Sequence, residues 1–142
     1  MRSRRLPSSE RGSIAIELAV IAPALVFLML LVVYAGKVSE AESNVDRAAA
    51  AAARSASLRQ QPGAAADDAR AAASANLSSA GVPCLSVATD VDVDDFAPGG
   101  TVTVTVRCDA SMADVTLLGV PGRRTFIATA VEVIDRYRSS GS

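Results

Sequence analysis

Between Ile14 and Gly36 the chain reads IAIELAVIAPALVFLMLLVVYAG, and 20 of these 23 residues are apolar. Only Glu17, Pro23 and Gly36 interrupt the run. About 20 residues of helix cross the hydrocarbon core of a bilayer. A soluble helix apolar on every side would need far more protein around it than 142 residues supply. The run therefore predicts a membrane-inserting helix over 13–36, with the lipid bilayer as its first partner. Arg2, Arg4, Arg5 and Arg11 precede it against Glu10 alone, whereas Lys37 is followed by Glu40, Glu42 and Asp46. Basic residues favour the cytoplasmic side. The expected topology is single-pass in the cell membrane, with the N-terminus cytoplasmic and the chain beyond about residue 37 extracytoplasmic.

The run also explains the composition. Half of the chain is apolar, yet aromatics make up 4% and 28 residues are alanine, 23 of them outside the run. The exported part is thus poor in core-forming side chains, and a small domain of that kind needs a covalent or packing aid. Cys84 and Cys108 are the two cysteines, both in the exported part. In an oxidising compartment such a pair reads as a disulfide, worth roughly 3 kcal/mol by loop closure; two buried free thiols are the alternative.

Several functions are excluded or disfavoured. There is no His, hence no Ser-His-Asp or Cys-His pair and no His-based metal site. The net charge of −1 gives no general basic field for nucleic acid. No acidic pair stands in a pocket-forming context, so an enzyme is not expected, and nothing calls for a cofactor. Asp90, Asp92, Asp94 and Asp95 share the spacing of an EF-hand opening, but Asp95 stands where Gly is needed and Thr101 where Glu is needed. The solvent face of a strand running into a loop explains the aspartates, and no metal site is assigned.

Glu17 is the residue the membrane reading must explain, because a carboxylate within a span is costly. It lies four residues into the run, where partial snorkelling to the interface is one answer. No Lys or Arg lies within the run, so a cationic partner must come from outside it. The local string Glu10-Arg11-Gly12-Ser13-Ile14-Ala15-Ile16-Glu17 resembles the class III signal of type IV prepilins. The resemblance implies cleavage by a membrane-embedded prepilin peptidase between Gly12 and Ser13, making Glu17 the fifth residue of the mature chain. The new α-amine of Ser13, cationic near neutral pH, would then neutralise Glu17 on its own or a neighbouring subunit. The longer string RGSIAIELAVIAPALVFLMLLVVYAGKV is similar to the TadE-like family of the tight-adherence (Flp) pilus system, with Gly12, Glu17, Ala22 and Pro23 at matching positions. Leu18 stands where that family often has an aromatic. The resemblance covers residues 10 to about 54. It implies a pseudopilin or minor pilin with roles in pilus assembly, adherence or secretion, and as partners other pilins and the Tad assembly machinery. Pro23 kinks the helix or loosens it for extraction.

Cleavage after Gly12 removes four Arg and one Glu, leaving ten basic and fourteen acidic side chains. The near-zero charge of the full chain thus combines a basic leader with an acidic exported protein. Two other readings compete. One is an uncleaved bitopic protein displaying a small extracytoplasmic binding domain. The other is a secreted domain released after Ala35, where Val33-Tyr34-Ala35 forms a small-x-small signal-peptidase site.

Beyond the run, Val38, Ala41, Val45, Ala48 and Ala52 recur at helical spacing, predicting one helix from Ser13 to about Leu58. Gln60-Gln61-Pro62-Gly63 breaks it, and Ala64–Ser79 reads as a second helix with Gly81 just past its end. From Cys84 the pattern changes to period two. Leu85, Val87, Val91 and Val93 alternate with polar residues, as do Val102, Val104 and Val106 after the Pro98-Gly99-Gly100 turn. Gly119-Val120-Pro121-Gly122 is a second turn, and Thr125 to Tyr137 reads as a third strand with Ile127, Val131 and Val133 on one face, the sheet being expected to carry a helix over its apolar face. The expected fold is α+β and membrane-anchored: a leader at 1–12, the membrane helix at 13–36, an Ala-rich helical stalk at 37–80, a three-stranded antiparallel β domain at 81–138, and a tail at 139–142. The valine faces match only if β1 and β2 residues pair with an odd sum, such as 91 with 102. Cys84 and Cys108 then point to opposite faces unless Cys84 has left the strand, which is the expectation, or a bulge shifts the register.

Overall fold

The computed structural model describes residues 9–113, 119 and 122–137. The leader upstream of Ser9, the tail at 139–142 and Val120-Pro121 of the second turn lie outside them. The order of elements is α1 (Ser9–Ser57), α2 (Pro62–Ser79), β1 (Cys84–Asp92), β2 (Thr101–Ser111) and β3 (Arg123–Val133). The fold is α+β, with a long apolar N-terminal helix, a second helix and a three-stranded antiparallel sheet. Two compact units divide it, residues 1–37 and 38–142.

In the first unit α1 is apolar on all sides from Ile16 to Val33, apart from Glu17 and Pro23. Pro23 sits inside the helix, so the Ala19 carbonyl has no amide one turn on to accept from. In the second unit, the rest of α1 turns one seam inward: Ala41, Val45, Ala48, Ala49, Ala52, Ala53 and Ala56 are buried. The i, i+3, i+4 spacing of these residues explains why they share a face. Helix α2 answers with Ala65, Ala69, Ala73 and Leu77. Pro62 does not merely break α1; it opens α2 near its N-terminus, where a missing amide costs nothing. α2 ends with Gly81 at φ +68°, and the Val82 amide bonds back to the Leu77 carbonyl at 3.2 Å. That closure needs a left-handed residue, which Gly supplies without strain.

The sheet order is β1-β2-β3, antiparallel throughout. Val102, Val104, Val106, Cys108 and Ala110 of β2 point into the core. They share one hydrophobic cluster with the α1 seam and the α2 stripe, so residues 38–57, 62–79 and the strands are held by common packing. The β1–β2 loop is tied to the end of β3: the Gly99 amide donates to the Ile134 carbonyl at 3.0 Å and the Ile134 amide to the Gly100 carbonyl at 2.9 Å. Gly100 is required here by close approach, since a Cβ would lie 2.1 Å from the Asp95 carbonyl oxygen.

Two expectations are corrected. Val91 pairs with Val104, an odd sum as the valine faces demand, but Cys84 has not left the strand; it opens β1, and the register shifts between Cys84 and Ser86. The bulge returns Cys84 to the face of Cys108, and the two form a disulfide with Cα atoms 5.5 Å apart. In β3, Ile127, Val131 and Val133 do share a face, but it is the outer one. Cys108 pairs with Phe126, Val106 with Ala128 and Val104 with Ala130, so the even residues of β3 follow the β2 valines inward.

Candidate functional site

Gly12 and Ser13 lie within α1, so the peptide between them is helical. Glu17 is one turn further on, about 6 Å along the axis and on the face of Ser13. Its side chain is exposed, as are the apolar side chains around it. From Ile16 to Val33 the large apolar residues are exposed on all sides of the helix, from 45% at Ile21 to 71% at Met29. Nothing in the described chain covers this surface. The segment is long and apolar enough to cross a membrane, as an anchor or a signal would be. Glu17 and Pro23 are the exceptions within it, one a carboxylate, the other a missing backbone donor.

The acidic run does not converge. Asp90 and Asp92 are exposed on the outer face of β1, Asp94 and Asp95 stand in the turn, and the Asp94 amide bonds to the Asp92 carboxylate at 3.0 Å. Among the described residues no group of three or more metal-binding side chains comes together.

The structure gathers one polar cluster that sequence reasoning missed. On the outer face beside the disulfide, Asp109 of β2 accepts from the Ser86 hydroxyl of β1 at 2.8 Å and the Thr125 hydroxyl of β3 at 2.5 Å. The carboxyl is held below the usual carboxylate range, first by Thr125 and then by Ser86; partial desolvation opposes them, and Arg107 and Arg123 add attraction. The cluster links all three strands. No local motif announces it, because Ser86, Asp109 and Thr125 meet only through the strand register.

Residues 12–54 match the family model described as TadE-like protein. No curated protein matches the chain. No solved structure matches it either. The matched stretch contains Gly12, Ser13, Glu17 and Pro23 and continues through the α1 seam to Arg54, past the boundary at Lys37. It stops short of α2, the sheet and the disulfide.

Proposed function

The chain carries a TadE-like domain at residues 12–54, a Tad pilus-associated family that is generally non-enzymatic, and we propose that it is a pseudopilin or minor pilin of a Flp/Tad-type pilus. The observation that carries the reading is Glu17: a lone carboxylate on an otherwise apolar helix face, one turn from the Gly12-Ser13 bond. Prepilin peptidase cuts that bond on the cytoplasmic side. The released Ser13 amine supplies the cation that the apolar run lacks, on the same subunit or a neighbour. Assembly then satisfies a charge that is costly in lipid. The sheet unit faces outward, and the other pilins and the Tad machinery are the partners.

N-terminal sequencing from cells with and without the prepilin peptidase tests this. Ser13 is expected as the first residue in the first strain and Met1 in the second. In a cleaving strain, Glu17→Ala is expected to leave membrane insertion intact and abolish Tad-dependent adherence. Met1 in both strains sinks the processing step.

The uncleaved bitopic reading draws on one observation. The Gly12-Ser13 peptide is helical, whereas a peptidase requires its substrate bond extended, so processing needs the first turns of α1 to unwind. That reading predicts no effect of Glu17→Ala on localisation or on any pilus-dependent trait. A soluble product beginning at Gly36 would instead support release after Ala35.

A further inference from the structure

The sheet has two edges, and they are built differently. β1 is interrupted by the register shift between Cys84 and Ser86, carries Asp90 and Asp92, and lies against α2. Bulges, charges and covering elements all blunt an edge against pairing. β3 has no bulge, and its charges, Arg123, Arg124 and Glu132, stand only near its ends. Its register against β2 is unbroken from Arg123 to Val133, it contains no Pro, and no charge lies between Arg124 and Glu132. Among the described residues no strand pairs with its far side.

The register shows which groups face the open side. At both ends of β3 the even-numbered residues bond toward β2. The Gly122 carbonyl accepts from the Met112 amide at 2.8 Å, and the Ile134 amide donates to the Gly100 carbonyl at 2.9 Å. Antiparallel alternation then turns the amides and carbonyls of Arg123, Thr125, Ile127, Thr129, Val131 and Val133 to the open edge. Their side chains are exposed on the outer face, Ile127 at 54%, Val131 at 58% and Val133 at 66%.

We propose that this edge binds the same edge of a second copy of the chain, β3 antiparallel to β3, with the two-fold axis at Ala128. Open backbone groups must meet open backbone groups, so odd residues face odd residues, and the register centred on Ala128 uses the whole strand. Arg123 then opposes the partner's Val133, Thr125 the partner's Val131 and Ile127 the partner's Thr129. On the inner face, Arg124 opposes the partner's Glu132 and Glu132 the partner's Arg124. The strand is therefore self-complementary in charge under the two-fold. The Arg124 guanidinium is held on that face by the Phe126 ring, 5.7 Å from its centroid. At the axis Ala128 meets the partner's Ala128 in a non-hydrogen-bonded pair, where backbones come closest, about 4.5 Å between Cα atoms. Phe126 faces the partner's Ala130, large against small. On the outer face Ile127 lies diagonal to the partner's Ile127 and the partner's Val131, within reach for apolar contact. The inference rests on residues 123–133, outside the TadE-like stretch, and stands apart from the pilus reading.

The test uses the full chain in membranes or detergent. Arg124→Lys keeps the charge and introduces an amine that a zero-length carbodiimide joins to a carboxylate in direct contact. Positions 124 and 132 of one chain are eight residues apart along a strand, about 26 Å, so a link between them arises only between copies. A dimer band whose cross-linked peptide joins position 124 to Glu132 is the expected result. A dimer linked from position 124 to any other carboxylate overturns the proposal, as does the absence of any 124–132 link. As a second measurement, Arg124→Glu and Glu132→Arg each turn two attractive pairs into two repulsive ones. Each is expected to weaken association about tenfold, and the double variant to restore it. Single variants without effect, or a double variant no better than the singles, refute the register.

Discussion

Removing the disulfide should cost this domain more than it would cost one with an ordinary core. Among the described residues, 11 of the 20 buried apolar side chains are alanine. Burying a methyl group contributes only about 0.8 kcal/mol, so the α1 seam and the α2 stripe pack closely without adding much hydrophobic free energy. Cys84 and Cys108 are 24 positions apart and close a loop that contains β1, the turn and β2 as far as Cys108. Chain entropy assigns such a closure about 3 kcal/mol. Cys108 is fully buried, so losing its sulfur leaves a small void that adds about 1 kcal/mol. For a domain of about a hundred residues the sum lowers Tm by roughly 20 °C. The experiment is a far-ultraviolet circular dichroism melt of the full chain in detergent, wild type against the double variant Cys84→Ala, Cys108→Ala. The single variant Cys84→Ala should lose nearly as much, because the loop opens either way. A double variant melting within about 3 °C of wild type would refute loop closure as a main source of stability. A single variant far milder than the double would assign the loss to packing instead.

Three further outcomes follow from the geometry. Phe126→Ala should destabilise by about 3–5 kcal/mol while its neighbour Ile127→Ala stays within about 0.5 kcal/mol, measured by urea unfolding at concentrations where the chain is monomeric; equal effects would contradict the face assignment of β3. Gly100→Ala forces its Cβ against the Asp95 carbonyl oxygen and should cost about 1–3 kcal/mol, with faster hydrogen exchange at the Ile134 amide, whose bond to the Gly100 carbonyl the shift disturbs. Asp109 has a folded pKa below its unfolded value, so its stabilising contribution is present above about pH 4 and is lost as pH falls through the folded pKa. Melts between pH 6 and pH 2 should show wild type losing more of its Tm than Asp109→Asn, and parallel curves would remove Asp109 from the acid response.

What could be read from the residues divides along physical lines. Lipid imposes a length and an all-round apolarity that one stretch of chain must satisfy by itself, so Ile14–Gly36 announced its helix. The α1 seam was visible because Val38, Ala41, Val45, Ala48 and Ala52 keep a period set by the helix alone. The strands and the odd-sum pairing of β1 with β2 were visible for the same reason. The buried face of β3 was not. Ile127, Val131 and Val133 are the larger residues and point out; Ala128 and Ala130 are small and sit inward because they lie opposite Val106 and Val104. That choice belongs to the register, which a single strand does not encode. The Ser86-Asp109-Thr125 cluster depends on the same register and was hidden for the same reason, whereas the bulge at Cys84–Ser86 showed in the sequence only as the alternative to Cys84 leaving the strand.

The proposed cleavage also bears on how a subunit could leave the bilayer. Before processing, Arg2, Arg4, Arg5 and Arg11 stand ahead of the apolar run, and all four would have to cross the hydrocarbon core for the helix to be drawn outward. After a cut at Gly12 the charges remaining at that end are the Ser13 amine and Glu17, one helical turn apart and opposite in sign. Paired, they cancel; unpaired, each carries its own desolvation cost. Processing would therefore convert an end that resists extraction into one that can be neutralised within a bundle. Pro23, by removing a backbone bond at Ala19, leaves the helix able to bend in the turns next to that pair. On this argument Glu17→Gln, which keeps the shape and removes the carboxylate charge, leaves the Ser13 amine unpaired, so it should be extracted less readily than wild type and should also lose the choice of neighbour that a charge pair imposes. Co-purification of wild-type and Glu17→Gln subunits with the assembly machinery separates the two effects. If Glu17→Gln were extracted as readily as wild type, charge cancellation would not be what frees the helix.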